Sequence, residues 1–102
     1  MKQYNKLVRD KIPEIMKNQG KEFTTRVLGE EEYRVELNKK LQEEVKEYIE
    51  DNNVEELADI VQVVYGILDS MGVSREEFES VRNNKVQKRG AFKEKIFLES
   101  GD

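Results

Sequence analysis

The stretch Leu41-Gln42-Glu43-Glu44-Val45-Lys46-Glu47-Tyr48-Ile49-Glu50-Asp51-Asn52-Asn53-Val54-Glu55-Glu56-Leu57-Ala58-Asp59-Ile60 decides how this chain folds. Asp51-Asn52-Asn53 is a turn signal between two segments of helical periodicity. On each side of the turn sits a spaced acidic pair, Glu44-x-x-Glu47 before it and Glu56-x-x-Asp59 after it. Residues three apart share one helix face, so each pair can aim two carboxylates at one spot. An antiparallel hairpin of the two helices brings the pairs together. Four carboxylates around one point repel each other unless a cation sits among them, and oxygen-only ligands suit Mg²⁺, with Mn²⁺ as the alternative.

Working outward, the first long helix is expected from about Glu30 to Glu50, after Gly29. Stepping about 100° per residue puts Tyr33, Leu37, Leu41, Val45, Tyr48 and Ile49 on one apolar arc. Glu44 falls inside that arc, Glu47 just outside its edge, and Glu43 further toward solvent. The second long helix is expected from about Val54 to Ser70, stopping at Gly72. Its apolar arc, from Leu57, Ile60 and Val61 through Val64, Ile67 and Leu68, covers well over half the circumference. Such a helix must be buried on several sides. Glu56 falls between Val63 and Ile67 in that arc, and Asp59 at its rim. A buried carboxylate with no partner is costly or takes up a proton. No lysine or arginine is expected on the same stripe as Glu44 or Glu56 within its own helix.

At the flanks, Asp10 is expected to cap a short helix with Pro13 in its first turn, ended by Asn18-Gln19-Gly20. Phe23-Thr24-Thr25-Arg26-Val27-Leu28 is rich in β-branched residues and reads as a short strand or extended arm. Ser74-x-x-Glu77 is a capping box for a third long helix, to about Lys88, with Gly90 ending it. Ala91 to Leu98 reads as a strand pairing with the Phe23 segment, or as a last helical turn. The fold class is therefore mainly all-α: an antiparallel helical bundle, with a small two-stranded element from the Phe23 and Phe92 segments as an addition.

Composition sets limits on function. At 102 residues the chain is one domain, residues 1–102. With 36% hydrophobic and 39% charged residues, the apolar supply is thin for a lone core, which favours a homo-oligomer, dimer or tetramer, that shares it. A net charge of -4 argues against a general nucleic-acid binder. The absence of cysteine and histidine removes a thiol nucleophile, a Ser-His-Asp triad and an imidazole metal site. No apolar run approaches the length of a membrane span, and Met1 to Lys11 lacks an apolar signal core, so a cytoplasmic protein is expected.

Two basic stretches complete the inventory. Asn83-Asn84-Lys85-Val86-Gln87-Lys88-Arg89 lies at a helix end, where cations favour the helix dipole. Beside an acidic metal site, Lys85, Lys88 and Arg89 gain a second role as phosphate ligands. In Tyr4-Asn5-Lys6-Leu7-Val8-Arg9-Asp10-Lys11, the residues Asn5, Lys6 and Arg9 could reach a phosphate or a base, although a packed N-terminal arm explains them as well.

Together these motifs resemble the MazG-like all-α nucleoside triphosphate (NTP) pyrophosphohydrolase superfamily. Glu43-Glu44-Val45-Lys46-Glu47 matches its EExxE motif, Glu56-Leu57-Ala58-Asp59 its ExxD, and Asn83-x-Lys85-x-x-Lys88-Arg89 its basic motif. The opening Tyr4 to Pro13 and the closing Lys88-Arg89-Gly90-Ala91-Phe92 are similar to a small subgroup labelled phosphoribosyl-ATP pyrophosphohydrolase-like. The stretch between Glu47 and Glu56 is shorter than usual for the family. The resemblance implies an oligomeric helical bundle with Mg²⁺ held by Glu44, Glu47, Glu56 and Asp59. It implies cleavage of a nucleoside triphosphate to the monophosphate and pyrophosphate. Glu43 or Glu44 would activate water, and Asn83, Lys85, Lys88 and Arg89 would bind phosphates. Two alternatives stand beside this reading: hydrolysis of phosphoribosyl-ATP in histidine synthesis, and a non-catalytic helical oligomerisation or regulatory module.

Overall fold

A computed structural model describes residues 2–102, and these contain four helices and no strand: α1 (Ile12–Asn18), α2 (Glu30–Asp51), α3 (Val54–Met71) and α4 (Arg75–Arg89). The chain divides into two compact units, Met1–Gly72 and Val73–Asp102.

In the first unit α2 packs against α3. The hairpin turn is two residues long because asparagine serves both of its positions. Asn52 takes a left-handed conformation (φ 52°), which asparagine tolerates better than most side chains. Its backbone N–H closes on the Tyr48 carbonyl at 2.7 Å. Asn53 is extended and caps α3, its Oδ1 accepting the Glu56 N–H at 3.0 Å. At the far end α3 stops at Gly72, whose φ of 72° suits a residue without Cβ.

The antiparallel register can be followed along the hairpin. Near its open end Arg34 donates to the Ser70 carbonyl. Midway, Leu37 lies over Gly66, where an added Cβ would come within 3.0 Å of Leu37 Cδ2. Toward the turn, Glu44 lies opposite Asp59. The missing Cβ at Gly66 leaves room for Leu37, which is 3% exposed. Leu37 and Leu68 are the buried apolar residues among those described. Much of the expected apolar arc is open in the single chain: Val45 and Ile49 on α2, and Val54, Leu57 and Val61 on α3, are exposed.

Other local readings are corrected or completed. Asp10 does not cap α1: the cap position is Lys11, without a side-chain hydrogen bond, and Asp10 lies one residue outside in the preceding turn. Pro13 does sit in the first turn, where its missing N–H costs nothing. The Phe23–Leu28 segment is irregular, and Arg26 ties it to the first turn of α2 through a two-pronged pair with Glu32. The second unit is α4 and its tail. Ser74 caps α4, accepting the Glu77 N–H at 3.1 Å. Residues 91–102 form a bend and turn followed by irregular chain, with Phe92, Ile96, Phe97 and Leu98 exposed. No single helix among the described residues is long and apolar enough to cross a membrane.

Candidate metal centre

Glu44 occupies a position on α2 where the pattern calls for an apolar side chain, and it is only 6% exposed. Its Oε1 lies 3.4 Å from Lys40 Nζ, one turn earlier on the same helix. This corrects the expectation that no cation shares its stripe. The signal was present, since Lys40 precedes Glu44 by four residues, the spacing of a helical ion pair. Lys40 is shared, however, and also lies 3.6 Å from Glu43. It satisfies one oxygen of Glu44 and leaves the other.

Glu56 enters from the first turn of α3, fixed there by the Asn53 cap on its own N–H. Asp59 follows one turn later. One carboxylate oxygen from each of Glu44, Glu56 and Asp59 lies within 4.8 Å of the others. Glu44 Oε2 and Glu56 Oε2 are the buried side-chain polar atoms among the described residues that have no hydrogen-bond partner. A buried acceptor without a donor forfeits its hydration and gains no hydrogen bond in return.

Glu47, expected as the fourth ligand, is half-buried and outside the group of three. Its three-residue step from Glu44 is the same as that from Glu56 to Asp59, which do converge, so spacing alone does not set it apart. It is still close enough for its charge to act on both Glu44 and Glu56. Burial is the largest cause holding the Glu44 carboxyl above its ordinary pKa. The Glu47 charge adds to it, Lys40 opposes it, and Asp59 contributes least. The Glu56 carboxyl is raised by loss of hydration first, then by Glu47, Asp51, Asp59 and Glu44. Around the cluster Glu43 pairs with Lys6 at 3.5 Å, and Asp59 pairs with Arg9 at 2.5 Å. The acidic groups still outnumber Lys6, Arg9 and Lys40, so the cluster keeps a net negative formal charge.

Three carboxylates on two rigid helices, two of them with partnerless oxygens, fit a hard divalent cation. The donor set is all oxygen, with no nitrogen or sulfur, which favours Mg²⁺ or Mn²⁺ over zinc. Of the other residues singled out in the sequence, Asn5 is exposed with a left-handed backbone (φ 46°). Asn83, Lys85, Lys88 and Arg89 are exposed on the C-terminal half of α4, in the second unit. Comparison with protein-family models, with curated proteins and with solved structures returns no match.

The raised carboxyls give a pH test. In the folded chain Glu44 and Glu56 keep protons that the unfolded chain has already lost. Without a divalent ion, stability therefore falls as pH rises from the ordinary carboxylate range through the raised values. An ion held by the deprotonated carboxylates would oppose that loss. Thermal melts are expected to show a larger Mg²⁺-induced gain in Tm at about pH 8 than at about pH 5. Equal gains at both pH values would exclude these carboxylates as the ion's ligands.

Proposed function

We propose that this chain is a Mg²⁺-dependent nucleoside triphosphate pyrophosphohydrolase of MazG-like type, converting NTP and water to NMP and pyrophosphate. The observation that carries the reading is the pair of buried, partnerless oxygens of Glu44 on α2 and Glu56 on α3, two carboxylates that converge with Asp59 of α3. Such an arrangement is costly to a purely structural helix pair and useful to one that holds a cation.

In this reading Glu44, Glu56 and Asp59 hold the ion, and Glu47 supplies the charge beside them. The ion provides neutralisation of phosphate charge and acidification of a water molecule. Glu43 stands just outside the group of three and is free of ligand duty, so its carboxylate accepts the proton of the attacking water. Water attacks the α phosphorus, the bond from that phosphorus to the α–β bridging oxygen breaks, and the bridging oxygen leaves with pyrophosphate. The resemblance assigns binding of the outer phosphates to Asn83, Lys85, Lys88 and Arg89. The chemistry fits a residue set without histidine or cysteine.

The bundle is completed, in this proposal, by a second copy of the chain. Two buried apolar residues are too few to hold a hairpin of this length alone. The open Val54, Leu57 and Val61 face of α3, and the tail with Phe92 at 96% exposure, are the surfaces a partner copy would cover. Light scattering is expected to give a dimer or tetramer.

A panel of ribo- and deoxyribonucleoside triphosphates together with phosphoribosyl-ATP, assayed for inorganic pyrophosphate with and without Mg²⁺, tests the activity. Metal-dependent release from at least one of them is expected. Preference for phosphoribosyl-ATP would assign the chain to histidine synthesis, and no release from any would leave a non-catalytic module.

A further inference from the structure

Two cations of the segment before α1 reach the acidic cluster from far along the chain. Arg9 Nη2 donates to Asp59 Oδ1 across 50 positions, and Lys6 Nζ lies 3.5 Å from Glu43 Oε1 across 37 positions. The segment has no helix or strand of its own up to the turn at Asp10. Arg9 takes an oxygen of Asp59, one of the three carboxylates that converge. Its guanidinium places a positive charge beside the cluster. The Arg9 side chain is exposed and that of Asp59 is half-buried but open to solvent, and such a pair is weak. By contrast Glu44 is more than nine-tenths buried, and its free Oε2 points to a ligand not supplied by the protein. A divalent ion that gains Glu44 and Glu56 as well as Asp59 outcompetes a single exposed guanidinium for Asp59. The released guanidinium then sits beside the cation with its fork of donors free, and that fork matches phosphate oxygens.

We propose that Arg9 is an exchangeable counter-cation: it holds Asp59 until a divalent ion binds, then turns to a phosphate of the nucleotide. The inference rests on the metal-dependent phosphoanhydride reading above and adds an order to it, ion first and nucleotide second. Arg9 is thereby a positioning residue that couples the two binding events. Lys6 on Glu43 accompanies it without occupying one of the three converging carboxylates.

The test uses full-length R9Q and R9K proteins, with helicity checked by circular dichroism. Free Mn²⁺ is followed by electron paramagnetic resonance without nucleotide. A non-hydrolysable nucleoside triphosphate is then titrated calorimetrically at saturating Mn²⁺. R9Q is expected to bind Mn²⁺ about two- to fivefold more tightly, because a competing charge is gone. The same variant is expected to bind the nucleotide about tenfold more weakly. R9K is expected to restore Mn²⁺ affinity to near the unmodified value and nucleotide affinity only in part. Opposite signs for the two ligands are the signature, since a structural role for Arg9 would weaken both. Unchanged or weaker Mn²⁺ binding in R9Q, or unchanged nucleotide binding, overturns the inference and leaves the metal centre standing. If the unmodified protein binds no Mn²⁺, the metal reading fails and this inference fails with it.

Discussion

Glu56→Gln is expected to lower metal-dependent pyrophosphate release by more than about a hundredfold in kcat/KM, the upper range seen for groups that merely support metal ligands. The glutamine keeps the shape of the side chain, and the Asn53 cap bonds the backbone N–H, which is unaltered. What changes is the charge. The new amide can donate to Glu44 or Asp59, where the carboxylate could only repel them. The ion-free protein is therefore expected to melt at a higher temperature than the unmodified chain while losing its activity and its response to Mg²⁺. That combination separates a ligand from a residue that only supports the fold, whose loss would lower both. Activity within about tenfold of the unmodified protein would remove Glu56 from the ion's ligands.

Leu37→Ala is expected to have the largest effect on stability. Leu37 is one of two buried apolar residues among those described, and its side chain packs over Gly66 of the facing helix. Removing a buried leucine side chain costs about 2–5 kcal/mol, from lost transfer energy and the cavity left behind. Small domains hold only about 5–15 kcal/mol in total. Moreover, Gly66 has no side chain to move into the gap. The expected result is a broad, early thermal transition by circular dichroism that sharpens at higher protein concentration, as self-association restores burial. A melt unchanged from that of the unmodified protein would mean that the hairpin is not held at this layer.

The helices were largely legible because their signals are local. The Asn52-Asn53 turn, the Ser74 cap and the stop at Gly72 each act within one turn of the residue that carries them. The burial of Glu44 was also legible, since position along a helix fixes direction and direction fixes what a side chain meets. Glu44, Glu56 and Asp59 came together because a two-residue turn leaves little freedom of register. Glu47 lies outside the group of three although its spacing from Glu44 equals that of Asp59 from Glu56, so the i, i+3 pattern alone does not decide which carboxylates converge. The Lys40 pair is legible from its four-residue spacing to Glu44. Arg9 on Asp59 was not readable: nothing in the periodicity of residues 4–11 states where an irregular segment lands 50 positions away. The short helix start was misplaced for a related reason, since Asp10 and Lys11 both precede Ile12 and the turn geometry selected Lys11 as the cap.

Crystals grown with Mn²⁺ and measured at the manganese absorption edge test the central claim most directly. The account predicts an anomalous peak bound by carboxylate oxygens of Glu44, Glu56 and Asp59, with the Arg9 guanidinium moved off Asp59. A peak elsewhere, or no peak with Lys40 and Arg9 still on Glu44 and Asp59, would contradict it.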